Sequence, residues 1–159
     1  ITAILAAKTV SLFENTIAQI VALAAFMPMV AGMGGNAGSQ TLTLIIRGMA
    51  IGEISLKNQA DILKKELAIG AINGLCLGIV AALLGYIWVG NLAFGLVIGT
   101  AMFLNLIVAT ASGYLVPVTL KKIGIDPALA SAVFVTTVTD VLGFFFFLGL
   151  ATIMIQYLI

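Results

Sequence analysis

Asp140 is the residue of this sequence whose type and setting most demand a chemical explanation. It is the only charged residue between Pro127 and the C-terminus, within the apolar run ASAVFVTTVTDVLGFFFFLGL. Asp140 follows Asp126 by 14 positions, about 21 Å along a helix rising 1.5 Å per residue. A carboxylate at the middle of a membrane costs about 2.5–3.5 kcal/mol on insertion scales, so such residues face a water-filled path or a partner. Thr136 and Thr137 precede it by four and three residues and Gly143 follows by three, which places all of them on one helical side. A lone membrane Thr often only bonds back to its own helix, but with Asp140 the group forms a stripe of oxygen donors.

The second group is Gly32-Met33-Gly34-Gly35-Asn36-Ala37-Gly38-Ser39-Gln40, preceded by Pro28. Each glycine costs a helix about 1 kcal/mol relative to alanine. Two uses offset that cost: a locally opened backbone that presents carbonyl oxygens, or close approach of another helix. Asn36 and Gln40 share a helical face, and Gly32 and Gly35 lie beside them in the run. Asn36 precedes Arg47 by 11 residues, about 17 Å of helix, a depth similar to that of Asp140. No Lys follows these glycines and no strand pattern precedes them, so they are not a phosphate-binding loop.

An all-oxygen set with one carboxylate suits a hard cation. Mg²⁺ keeps most of its waters and binds through one or two carboxylates, whereas Ca²⁺ takes a larger cage of protein oxygens. The donors do not choose Mg²⁺ over Mn²⁺ or Co²⁺. The sequence has no His and a single Cys, Cys76, which removes zinc and disulfide chemistry. An intramembrane aspartyl protease needs two carboxylates sharing a proton, and the spans offer only Asp140. A net charge of +1 with no basic run leaves no electrostatic footprint for nucleic acid. Two copies about a two-fold axis would bring two such carboxylates together.

The elements that must position these groups are membrane spans. Of 159 residues, 62% are hydrophobic and 8% charged, against about 25% charged in a soluble domain. At about 20 apolar residues per span, the fold class is all-α: a polytopic helical membrane protein forming one domain, with room for four spans and a remnant. Residues 1–13 read as the end of a helix whose start precedes them. Spans are expected over 16–50, 67–88, 92–119 and 127–157, with 51–66 a polar amphipathic connector carrying Lys57, Lys64, Lys65 and Glu66. The break at GYIWVGN (residues 85–91) places Tyr86 and Trp88 at an interface. Asp126-Pro127 reads as an N-cap with proline in the first helical position. Gly70, Gly74 and Gly78, and likewise Gly95 and Gly99, repeat at the small-xxx-small spacing of close helix packing. Asn73 and Asn105 are expected to make interhelical hydrogen bonds, and Glu14 to be a solvated turn residue.

Six of the seven basic residues fall on Arg47, the 51–66 connector and the 121–126 turn, so those loops are expected on the cytoplasmic side of a multi-pass cell-membrane protein. No Lys or Arg is expected in a span core as a partner for Asp140.

The run from Gly32 to Gln40 after Pro28, Arg47-Gly48, Gly52-Glu53-Ile54, and Asp126-Pro127-Ala128 with Thr139-Asp140 downstream resemble the transmembrane domain of the MgtE family of Mg²⁺ channels. The resemblance covers nearly the whole chain. It implies a homodimer of five-helix protomers in a lipid bilayer, the first helix incomplete here, with a pore at the dimer axis formed mainly by the second and fifth helices. It implies Asp140 as the residue holding hydrated Mg²⁺, the Thr136 carbonyl one turn away, and oxygens from Gly32 and Asn36, with Gly35, Gln40 and Thr137 lining the path. It also implies a cytoplasmic N-domain and paired CBS domains that sense Mg²⁺ in full-length members; these residues do not include them. The expected function is Mg²⁺ conduction driven by membrane potential. The alternative is an alternating-access cation exchanger using the same Asp140, with the glycine run as a hinge; a structural membrane subunit would leave flux indifferent to Asp140 and Asn36.

Overall fold

The computed structural model describes residues 2–54 and 59–159. The chain forms α1 (Thr2–Ser11), α2 (Glu14–Gln19), α3 (Ala22–Ala50), α4 (Gln59–Val89), α5 (Leu92–Lys122), α6 (Pro127–Ile153) and α7 (Ile155–Leu158). There is no strand among the described residues.

Among the described residues three helices are long and apolar enough to cross a membrane: Gln59–Val89, Leu92–Lys122 and Ser131–Ile153. α5 is the central one, with 56% of its most apolar window buried against 22% and 28% for the other two. It packs on α3, α4 and α6. Its Phe94, Ile98, Met102 and Leu106 form the main core with Leu23, Phe26 and Val30 of α3 and Phe147, Leu148 and Ala151 of α6. A smaller cluster of Ile45, Met49, Tyr114 and Val118 joins α3 to α5, with Ile54 packed against it.

The α4–α5 pair is set by glycines meeting backbone. A Cβ added to Gly78 would lie 2.8 Å from the Gly99 carbonyl oxygen, and one added to Gly74 would lie 2.9 Å from that of Phe103. Both helices therefore approach to a distance that only glycine allows, as the repeat spacing leads one to expect. Between them, Gly90 takes a φ of +74°, open to glycine at little cost. Asn91 then caps α5, its Oδ1 accepting from the amides of Ala93 at 2.8 Å and Phe94 at 3.3 Å. Asp126 caps α6 in the same way through Ala128 at 2.9 Å, with Pro127 in the first helical positions.

Several boundaries differ from the expected ones. The stretch 16–50 is not one helix: α2 ends at Gln19 and α3 begins at Ala22. Ile20 between them leaves the helical conformation and is buried in the core, while Thr16 and Thr152 share a hydrogen bond of 2.8 Å that ties α2 to the end of α6. α3 is 29 residues long, about 43 Å, yet it is not among the helices apolar enough to qualify as spans, because one face of it is polar. α4 begins at Gln59, so the second half of the expected connector is helical; Lys57 of that connector lies outside the described residues. Glu66, expected on the polar connector, is instead 8% exposed and accepts a hydrogen bond from Thr41 at 3.2 Å. The segment expected to run to 157 stops at Ile153, and the short α7 follows.

If backbone approach at the α4–α5 seam sets this fold, Gly78→Ala must push the helices apart, because its methyl would meet a carbonyl rather than a movable side-chain end. Overpacking of this kind costs about 1–3 kcal/mol, so thermal unfolding in detergent should shift to a clearly lower temperature. An unchanged unfolding temperature would show that the seam is looser than these distances require.

Candidate cation-binding face

α3 carries its candidate residues on one side. Its buried stripe is Leu23, Val30, Gly34, Gly38, Thr41, Ile45 and Gly48, and the opposite side exposes Pro28, Gly32, Asn36, Ser39, Gln40, Thr43 and Arg47. Asn36, Ser39, Gln40 and Thr43, with Leu44, line an open groove of about 560 Å³. The helix continues without a break through Gly32 to Gln40. Of the two uses weighed for these glycines, close approach accounts for two: a Cβ on Gly38 would lie 2.7 Å from Val135 Cγ1 of α6, and one on Gly34 would collide with the Asn105 amide of α5. Gly32 and Gly35 have open space where a side chain would be. Their lack of a side chain leaves the helix surface bare on the polar side.

α6 divides its candidates between two directions. α5 meets α6 at a groove lined by Leu115, Val116 and Thr119 against Phe134 and Val138, positions roughly 120–160° around the helix from Asp140 at 100° per residue. Continuing round, Val135 and Thr139 come next, facing Gly38 of α3, and then Thr136 and Asp140. The same circuit on α3 passes Gly34 against α5, Gly38 against α6, and then Gly35, Ser39, Gly32 and Asn36. Asp140 and the polar face of α3 therefore border one side of the α3–α6 seam, the side turned away from α5. Asp140 is half-buried and Thr136 exposed there.

Thr137 is not part of this group. It lines a crevice of about 350 Å³ with Leu5, Lys8, Thr9 and Leu12 of the N-terminal segment and Val138, Val141 and Leu142. Lys8 of α1, itself exposed, borders that crevice. Gly143, expected on the donor stripe, is buried against Asn105.

The threonine hydroxyls donate to their own helix, Thr136 to the Ala132 carbonyl at 2.8 Å and Thr137 to that of Val133 at 2.6 Å. Their oxygens keep lone pairs free to accept or coordinate. Thr139, absent from the sequence-level candidates, is fully buried and donates to the Thr136 carbonyl at 3.0 Å. It holds the turn immediately before Asp140. Among the described residues no three His, Cys, Asp or Glu side chains cluster closely enough to hold a metal ion. On this face Asp140 is a lone carboxylate among the described residues, flanked by neutral oxygen donors, which suits an ion that keeps its own water.

The family model for MgtE, described as a divalent cation transporter, matches residues 27–150. Three relatives bear the name magnesium transporter MgtE. The one from Bacillus subtilis (strain 168) is 37% identical over 155 residues, 98% of this chain and 34% of that protein. The one from Enterococcus faecalis is 31% identical over 96% of this chain and 34% of its own length, and that from Thermus thermophilus 34% identical over 91% and 32%. The chain spans about a third of the length of these relatives.

The polar side of α3 can be mapped with single cysteines in a Cys76→Ala background. Cysteines at Asn36, Ser39 and Thr43 should react with a charged, membrane-impermeant thiol reagent at least about tenfold faster than cysteines at the lipid-side positions Ile72 and Ile79, because only hydrated thiols ionise readily. Equal rates at both sets would mean that the polar face is sealed from water.

Proposed function

The chain belongs to the MgtE family of divalent cation transporters, and from that premise we propose that it is the membrane pore of a Mg²⁺ channel. The observation that carries the proposal is the polar, side-chain-poor face of α3 bordering the half-buried Asp140 across one seam. Such a face has no stable position against lipid, where unsatisfied polar groups cost several kcal/mol. It needs water, an ion or a second protein surface. Two copies of the chain about a two-fold axis supply all three: they cover both faces, bring two Asp140 carboxylates to one path and leave room for a hydrated divalent ion.

In this reading residues 1–159 form a single transmembrane domain, with α1 and α2 completing a first helix, α3 to α6 as the remaining four, and the basic loops on the cytoplasmic side of the cell membrane. Asp140 holds hydrated Mg²⁺ by charge. The Thr136 oxygens, Asn36, and the bare helix surface at Gly32 and Gly35 contact its water shell, and Gln40 lies further along the groove. Thr137, turned toward α1, is given no role in the path. A single carboxylate per chain binds without a full cage, so the ion also leaves readily, as conduction requires. An inside-negative potential supplies about 2.3 kcal/mol per elementary charge per 100 mV, twice that for Mg²⁺. Mn²⁺ and Co²⁺, with the same preference for oxygen donors and water, are expected to compete.

The proposal is tested by Mg²⁺ uptake into proteoliposomes under an imposed inside-negative potential. Asp140→Asn should lower the rate at least about tenfold, the scale set by losing a charge interaction worth over 1.4 kcal/mol, while the protein stays folded. Uptake in the variant equal to that of the unmodified protein would place the path elsewhere. Uptake that follows a H⁺ or Na⁺ gradient instead of the Mg²⁺ gradient and potential would replace the channel with an exchanger.

A further inference from the structure

Asn105, at the middle of α5, is fully buried and sits where α3, α5 and α6 meet. Its Nδ2 donates to the Val30 carbonyl of α3 at 2.8 Å. Its amide is held between two glycines: a Cβ on Gly34 of α3 would collide with it, and one on Gly143 of α6 would lie 2.7 Å from Nδ2 and 3.1 Å from Oδ1. Among the described residues Oδ1 has no hydrogen-bond partner although it is buried. An unpaired buried acceptor costs about 1–3 kcal/mol, whereas an apolar side chain of the same shape would cost nothing of the kind. Space-filling alone therefore gives no reason for an asparagine here.

The reason lies in what the amide faces. In an α-helix the Val30 carbonyl already accepts from the Gly34 N–H four residues on, so Asn105 supplies a second donor to a carbonyl that has one. This is also where α3 is weakest. Pro28 supplies no N–H to the turn before it, and Gly32, Gly34 and Gly35 are poor helix formers. Should the Val30–Gly34 bond open, two backbone groups would be left bare in a buried seam. The carboxamide has what both would need: Nδ2 already holds the carbonyl, and Oδ1, beside Gly34, is free to accept its N–H. The location fits, because Gly143 is about 4.5 Å of helix from Asp140 and Gly34 about 3 Å from Asn36.

We propose that Asn105 is a positioning residue for cation passage: its carboxamide pins α3 to α5, packed against Gly143 of α6 near the height of Asp140, and takes over the Val30 carbonyl and the Gly34 N–H when α3 bends at its glycines. This rests on the reading of α3 and α6 as the walls of the path.

The test is Asn105→Leu in the full-length protein, since leucine has the same branching and keeps the space between the glycines filled. The expected result is an unchanged or higher unfolding temperature, with a maximal Mg²⁺ uptake rate lowered about tenfold. The half-saturating Mg²⁺ concentration should move less than about twofold, since no ion-facing oxygen is lost. Normal uptake by this variant overturns the proposal, as does a rate that falls only in step with stability. If Asn105→Leu does not fold, Asn105→Ala combined with Gly34→Ala decides: the second methyl refills the space of the lost amide, so reduced uptake in the folded double variant supports the pin and normal uptake leaves only packing. Asp140→Asn measured alongside separates the two claims, because normal uptake in that variant removes the path while saying nothing in favour of a packing role for Asn105.

Discussion

A polar group inside a membrane must be paired, hydrated or covered, and the rest of this structure depends on how that requirement is met along α3 and α6. Backbone polarity is absorbed by the helices themselves. Most side-chain polarity is absorbed locally: threonines at 9, 43, 110, 136, 137 and 152 donate to carbonyls of their own helices, and Thr41 meets the buried Glu66. What remains includes the open side of α3, Asp140, and Asn73, which was expected to bond between helices but lies exposed on α4.

α5 makes that exposure structurally affordable. By contacting α3, α4 and α6 at once, it frees one flank of α3 and α6 from any duty in the core. The glycines serve the same division. Gly34, Gly38 and Gly143 let helices close on the buried side, while Gly32 and Gly35 keep the other side bare. A single run of sequence thus contributes to packing and to the open face in alternation, following the helical period.

Much of this was legible in the residues. Asp140 stands out by charge, the Asp126-Pro127 cap and the Gly-Asn break before α5 by turn chemistry, and the α4–α5 seam by glycine spacing. The glycine run was ambiguous because sequence shows spacing but not which neighbour each position meets; only the packing separates Gly34 and Gly38 from Gly32 and Gly35. Thr137 shares a helical side with Asp140 within the tolerance of a 3.6-residue period, yet α1 packs close enough to claim it. Lys8 was read as part of a helix remnant, and that segment, α1, docks on α6. Glu66 was assigned to a solvated connector by its charged neighbours, and Thr41, its partner, is 25 positions away. Asn105 was expected to bond between helices and does so, to Val30 of α3; Thr139 carried only the weak signal of a polar residue within a span, because which polar residue is buried depends on the crossing of three helices.

The account stands on a divalent ion being held between Asp140 side chains at the α3–α6 seam. The most direct measurement is an anomalous-scattering map from crystals of the full-length protein grown with Mn²⁺ in place of Mg²⁺. The account predicts a peak on a two-fold axis between the Asp140 carboxylates of two copies, too far from either for direct coordination by both and so with water between. Strong peaks only at the carboxylates of the loops outside the membrane, with nothing between the Asp140 side chains, would contradict it.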